Sequence, residues 1–226
     1  MCCISHTNSS KHQSGAAATE EKTMIARIAS LGMGYVFGSF LTAEVVARKL
    51  AHKSAFELGV GNPGMANIGH ELGTKAAATV LAGDILKTLA AWLVARAAFP
   101  AEADVAGIWA GLGATLGHNY PAWHSFKGGK GVTTTCSAII LANPILGGIS
   151  SLVGVASVIF GGYLCVGAVS ITGSYLMLIL LFDRSVDRIF SASVLTILML
   201  FAHHAAIAGI KSGATPRAHI SKKFTK

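Results

Sequence analysis

The stretch GVTTTCSAIILANPILGGISSLVGVASVIFGGYLCVGAVSITGSYLMLILLF runs from Gly131 to Phe182, 52 residues without Asp, Glu, Lys or Arg. The solvated face of a soluble helix needs polar side chains, so a soluble domain does not leave so long a stretch uncharged. A helix that crosses a bilayer needs about 20 largely apolar residues. Outward from this stretch, Val105–Phe126 and Ile189–Ile210 are also free of the four charged types. Each of them holds one crossing. The chain of 226 residues is 52% hydrophobic and 12% charged, with mean hydropathy +0.58. Soluble domains carry about 25% charged residues. These features predict an all-α integral membrane protein.

Two further crossings precede these. Met24–Ala47 has Arg27 and Glu44 near its ends, and Ala76–Ala98 is interrupted by Asp84 and Lys87. The two charges on the second crossing are three apart, so they share a face and are expected to pair inside the bundle. Basic residues fall in three places: Arg48, Lys49, Lys53 and Lys75 around the first loop; Lys127 and Lys130 in a second; Lys211, Arg217, Lys222, Lys223 and Lys226 in the tail. The positive-inside rule puts all three on the cytoplasmic side and the N-terminus outside. Pro100–Asp104 carries only acids and Asp183–Arg188 is charge-balanced, as external loops should be. An even number of crossings must then separate Lys130 from the tail. Gly131–Phe182 therefore supplies three, each short at about 17 residues and at least one of them thin or broken. About seven transmembrane helices result. Residues 1–22 read as a disordered polar tail, 23–215 as a single helical transmembrane domain, and 216–226 as a basic C-terminal tail.

Cys2, Cys3, Cys136 and Cys165 show no metal spacing and no disulfide framework, so no metal site is expected. Cys2-Cys3 is a weak acylation signal. The net charge of +8 reads as basic loops facing anionic lipid headgroups, not as a nucleic-acid surface.

Three segments carry chemistry. Gly59–Gly73, GVGNPGMANIGHELG, holds five glycines, two asparagines and a proline. Glycine bares backbone amides and tolerates positive φ, and successive amides can form an anion nest. A flexible interhelical loop would have a similar composition, but the ordered spacing of Gly61, Asn62, Gly64 and Asn67 favours a site. His70 follows as a possible cation. The second segment, Gly117–Thr133, reads GHNYPAWHSFKGGKGVT. It is not a Walker A loop, because position 124 is His and position 131 is Gly. Lys127 and Lys130 are point charges suited to phosphate, and Gly128, Gly129 and Gly131 bare the backbone between them. Topology alone explains the lysines but not the interleaved glycines. The third segment is His203-His204, near a membrane helix end on the same side. Histidine there can act as acid or base near neutral pH, or be a hydrogen-bonded interfacial residue.

Taken together, Gly61-Asn62-Pro63-Gly64-x-x-Asn67, Ala82-Gly-Asp-Ile-Leu-Lys87, Gly117-His118-x-Tyr-Pro121 with Phe126-Lys-Gly-Gly-Lys-Gly-Val132, and His203-x3-Ile207-x5-Gly213 resemble the bacterial membrane glycerol-3-phosphate acyltransferases that use acyl-phosphate. The likeness runs in order over about Met24–Thr215. It implies a seven-helix, N-out enzyme of the bacterial cell (inner) membrane, acting in phospholipid synthesis without a cofactor. Its partners would be acyl-phosphate, glycerol 3-phosphate and the lipid bilayer. His203 and His118 would be catalytic. Lys127, Gly128, Gly129, Lys130, Gly131, Gly61, Asn62, Gly64, Asn67 and His70 would hold substrate phosphate. The chain lacks His-x4-Asp, the signature of the acyl-CoA class. It also departs from the family pattern. Val60 stands for a Ser and His70 for an Arg, while His204, Ala206, Gly209 and Thr215 replace Arg, Asn, Arg and Glu. An alternative of another class is a catalytically weak or inactive paralogue that binds or transports a phosphorylated metabolite or lipid.

Overall fold

The computed structural model describes residues 6–218 of the chain, and among them it is helical with no strand. In order come α1 (His6–Gly38), α2 (Thr42–Ala51), α3 (Met65–Leu72), α4 (Thr74–Ala98), α5 (Ala103–Asn119), α6 (Val132–Ala142), α7 (Pro144–Gly161), α8 (Leu164–Phe182) and α9 (Val186–Ala208). Single 3₁₀ turns lie at Ala55–Glu57, Pro100–Glu102 and Ala122–His124. Cys2, Cys3, Lys222, Lys223 and Lys226 lie outside the described residues.

Among the described residues, five helical segments are long and apolar enough to cross a membrane: Ala17–Ala51, α4, α7, α8 and α9. The uncharged stretch holds three helices, and one is thin as expected. α6 has 11 residues, about 16 Å at 1.5 Å per residue, against a hydrocarbon core of about 30 Å. Pro144 ends it. Proline cannot continue α6, but it fits the first turn of α7, where the Asn143 side chain accepts from the Leu146 amide (3.1 Å).

Two expectations at the N-terminal end change. The described part of the 1–22 tail is helical, because α1 begins at His6. Ala16–Ala18 and Glu20-Glu21-Lys22 are good helix formers. The first crossing, expected to run unbroken to Ala47, stops at Gly38 and restarts at Thr42. The break stands because other helices satisfy its freed carbonyls. Lys87 Nζ donates to the Phe40 carbonyl (2.8 Å), and Trp123 Nε1 donates to that of Ser39 (3.0 Å).

α5 is the buried centre. Ala106, Ala110 and Ala114 are fully covered. Its most extensive neighbour is α1, through Gly34 and Gly38 on α1 and Gly113 and Gly117 on α5. A Cβ at any of the four would run into the partner's backbone, at Ala110, Ala114, Leu31 and Tyr35 respectively. Without a hydrophobic drive between helices in lipid, such small-residue contacts supply the packing. The same device joins α7 to α8, where Gly154 and Gly167 face each other.

Candidate active site

The C-terminus of α5, the N-terminus of α6, the α2–α4 connection and the C-terminus of α9 meet at one end of the bundle. There they enclose a cleft of about 350 Å³, lined by Gly61, Asn62, Asn119, Tyr120, Lys127, Gly128, Gly129 and Lys130 with Phe56, Phe126, Phe201 and Ala202.

Lys127 to Gly131 lie against the end of α5. Gly129 donates to the His118 carbonyl (3.0 Å). A Cβ at Gly129 would collide with the His118 ring, and one at Gly128 with the His118 and Asn119 carbonyls. The glycines are therefore needed for packing as well as for baring amides. Gly131 begins α6 in the left-handed region, at φ 73°. Lys127 spends its amide on the His124 carbonyl (3.0 Å), whereas the amides of Gly128, Lys130 and Gly131 have no acceptor among the described residues. The first-turn amides of α6 point the same way by helix geometry. No carboxylate pairs with Lys127 or Lys130 among the described residues. The loop thus presents donors and positive charge with no internal acceptor, which is what an anion requires.

Ser125 and Phe126 also adopt positive φ, at 53° and 57°. Neither is glycine, so this turn carries backbone strain. It is held by Phe126 N donating to the Pro121 carbonyl (3.0 Å) and by Tyr35 Oη donating to that of Tyr120 (2.7 Å).

The other expected residues divide. Gly61 and Asn62 reach the cleft. Gly64 instead starts α3, and Asn67 is buried in the turn behind. Its Nδ2 donates to the Leu58 carbonyl (2.8 Å) and its Oδ1 accepts from the Val60 amide (3.0 Å). His70 is turned away: its side chain is 72% exposed, with Nδ1 2.8 Å from Glu71. Val60 is 85% exposed. His118 is buried behind the loop and does not line the cleft. Lys87 Nζ lies 2.8 Å from its Nδ1 and 2.8 Å from Asp84 Oδ1. With the Phe40 carbonyl, all three ammonium protons have a partner. The expected Asp84–Lys87 pair thus holds His118 in place behind the loop. His203 is buried next to cleft-lining Ala202. Its Nδ1 donates to the Met199 carbonyl (3.1 Å), which leaves Nε2 as the acceptor nitrogen, and like His118 it does not line the cleft.

Several members of the site went unread. Asn119 sits inside GHNYP, but at its unspecified position. Phe56 and Phe201 read as ordinary apolar residues, and Phe126 only as the start of the lysine–glycine motif. Glu44 read only as a charge near a helix end. In the structure it anchors the first loop, its carboxylate accepting from Arg48 (2.6 Å), Ser54 Oγ (2.9 Å) and the Ala55 amide (2.7 Å).

A family model described as Glycerol-3-phosphate acyltransferase matches residues 28–213. The chain belongs to this family. It is 41% identical over 116 residues to "Glycerol-3-phosphate acyltransferase 1" of Lactobacillus acidophilus, covering 51% of this chain and 56% of that protein. The alignment with the Lactobacillus johnsonii protein of the same description spans 63% of its length at 40% identity. The chain thus spans a little over half the length of these two relatives. The Alkaliphilus metalliredigens "Glycerol-3-phosphate acyltransferase" aligns more fully, at 32% identity over 79% of this chain and 89% of that protein. Among solved structures, PlsY (YgiH), described as an integral membrane glycerol 3-phosphate acyltransferase and crystallised in its glycerol 3-phosphate form, superposes with TM-score 0.77. Identity is 27%, covering 88% of this chain and 99% of that chain. The family expected from the sequence and its helical membrane fold both stand.

Proposed function

We propose that the protein transfers an acyl chain from acyl-phosphate to the 1-hydroxyl of glycerol 3-phosphate, giving lysophosphatidate and phosphate. The observation that carries this reading is the cleft. It sets Lys127, Lys130 and unpaired amides of the same loop beside an aromatic lining that suits the start of an acyl chain. In the reaction the hydroxyl oxygen bonds to the acyl carbon. The carbon–oxygen bond to phosphate breaks, and phosphate leaves with the electron pair. The leaving charge develops beside Lys127 and Lys130, where fixed donors in a partly dry site lower the barrier. His203 Nε2 takes the hydroxyl proton. Acyl-phosphate is already activated, so no acyl-enzyme on Cys136 or any Ser is needed. Rapid quench with labelled donor should trap none, and a covalent adduct would overturn the direct-transfer mechanism.

Membership of the family supports a place in the bacterial inner membrane. The helices lead the basic loops around Lys75, Lys130 and Lys211 to one end of the bundle, which supports seven crossings with the N-terminus outside and the motif loops and C-terminus cytoplasmic. Labelling of single cysteines placed at Lys53 and Asp104 from either side of the membrane tests this; the two must react from opposite sides.

The first loop favours a second reading. Of the residues expected to hold phosphate there, Gly61 and Asn62 line the cleft, while Asn67 fastens its own turn and His70 leans on Glu71. A protein that binds a phosphorylated metabolite or lipid without transfer would keep the clamp alone. Purified protein assayed with acyl-phosphate and glycerol 3-phosphate decides between them. Turnover lost in Lys130→Ala supports the enzyme; no turnover with phosphate-dependent stabilisation lost in the same variant supports binding alone.

A further inference from the structure

Behind the cleft lies a charged cluster that takes no part in its lining. The side chains of Asp84, Lys87 and His118 are each no more than 5% exposed. Three groups meet Lys87 Nζ: Asp84 Oδ1 one turn back on α4, the Phe40 carbonyl in the break between α1 and α2, and His118 Nδ1 near the end of α5, each at 2.8 Å. With its three protons committed to three directions, the ammonium is a fixed point. A buried ion pair is weak evidence for stability, because apolar side chains of similar volume often hold helices as well or better. Ionisable side chains inside a membrane are costly, and those that are kept mark a function. The far side of His118 shows what this pair acts on. An ammonium only donates, so Nδ1 accepts and the ring proton lies on Nε2. That edge of the ring lies under the loop: a Cβ at Gly129 would strike Nε2 first, then Cε1 and Cδ2. The Gly129 amide donates to the carbonyl of the same histidine (3.0 Å). Gly129 itself lines the cleft, between Lys127 and Lys130.

We propose that Asp84 and Lys87 are positioning residues for the anion-binding loop. They fix the His118 ring, the ring seats Gly129, and Gly129 sets where Lys127 and Lys130 stand in the cleft. The proposal rests on the reading of the cleft as a phosphate site and adds how its geometry is kept. Side chains on α4 that never touch substrate set the affinity of the loop, through one histidine on α5.

The test uses the full chain in detergent. Replacing Lys87 alone would leave a lone buried carboxylate, so the pair is removed together in Asp84→Leu/Lys87→Met, which keeps volume and leaves no orphaned charge. His118→Ala removes the next link and keeps the pair. Affinity for inorganic phosphate and for glycerol 3-phosphate is read by thermal stabilisation, and kcat/KM with acyl-phosphate and glycerol 3-phosphate. Both variants should weaken phosphate affinity and lower kcat/KM, each by about 10–100-fold, the effect of a loop displaced by about 1 Å. Their combination should lose no more than about threefold beyond the weaker of the two, because they act along one path. Asp84→Asn, which removes the charge but keeps the shape, serves as the probe if the paired variant does not fold, and should weaken phosphate affinity by about threefold or more. Losses that multiply in the combination, or phosphate affinity within about twofold of wild type in either folded variant, would overturn the proposal. Wild-type turnover with both variants unaffected would keep the transfer reaction and sink this inference. If wild type turns over nothing but is stabilised by phosphate, the transfer reaction fails and the affinities still decide. Wild type indifferent to phosphate also sinks the inference, since no anion site is there to position.

Discussion

The two ends of the bundle treat charge in opposite ways. At the end away from the cleft, Arg27, Arg96 and Arg188 are given internal partners, and exposed Arg184 has none among the described residues. Arg27 makes a two-pronged bond to Asp187 (2.8 and 3.0 Å), and Trp109 Nε1 donates to the same carboxylate (2.7 Å). Arg188 bonds Asp183 (3.1 Å), which also accepts from Asn143 Nδ2 (3.0 Å), and Arg96 pairs with Asp104 (2.7 Å). At the cleft, Lys127 and Lys130 face no carboxylate among the described residues, and acids nearby are committed elsewhere, Glu44 to the first loop and Asp84 to Lys87. A charge whose counter-charge is built in holds helices together. A charge left without one is satisfied only by something that arrives.

The comparison breaks if Lys130 turns out to be structural. Lys130→Ala should lower kcat/KM by about 10²–10³ with little change in melting temperature. A large drop in melting with kinetics intact would put Lys130 on the wrong side of the contrast. Lys87 belongs to the other class although it lies close to the cleft. Lys87→Ala leaves Asp84 buried without its cation, and should destabilise the protein by about 3–5 kcal/mol, measured by thermal or denaturant unfolding in detergent. Asp187→Asn at the far end should cost less, about 1–3 kcal/mol, because the pair is only partly buried. kcat should stay within about twofold, and a selective loss of activity would blur the division between the ends.

The smallest effect concerns pH. Burial alone would raise the Asp183 carboxyl, but the bonds and charge of Arg188, with those of Asn143 and the Ser185 amide, hold it below the ordinary carboxylate value. A carboxylate depressed in the folded state stabilises the fold above its ordinary value, and that contribution is lost as pH falls through the folded value. Melting temperature should therefore decline on acidification below about pH 4, and less steeply in Asp183→Asn. Identical pH slopes for the two proteins would show that the bond is made equally in the unfolded chain.

Much of this was legible in the chain. The 52 uncharged residues from Gly131 to Phe182 hold three helices, one short, because the length of an apolar run limits how many helices it can hold. The loop around Lys127 and Lys130 was legible because alternating lysine and glycine have few other uses inside a membrane protein. The first loop was harder. Its spacing pointed to Asn67 and His70 as ligands of an anion, yet one fastens its own turn and the other leans on Glu71. The helix that starts at His6 rests on the propensity of its alanines and glutamates, which the polar composition of that segment hides.

By itself, then, the sequence determined a helical membrane protein with a lysine- and glycine-rich loop at one end. Apolarity, glycine spacing and charge placement are local properties that need no partner to be read. Only the tertiary structure decided which polar side chains are engaged and which remain available. Lys87 on α4 bonds His118 on α5, 31 residues away, and holds it behind the loop. The same packing leaves the carboxamide of Asn119, next in the chain, buried with no hydrogen-bond partner among the described residues. Whether a side chain is engaged depends on what a distant helix places beside it, and nothing in the neighbouring residues records that.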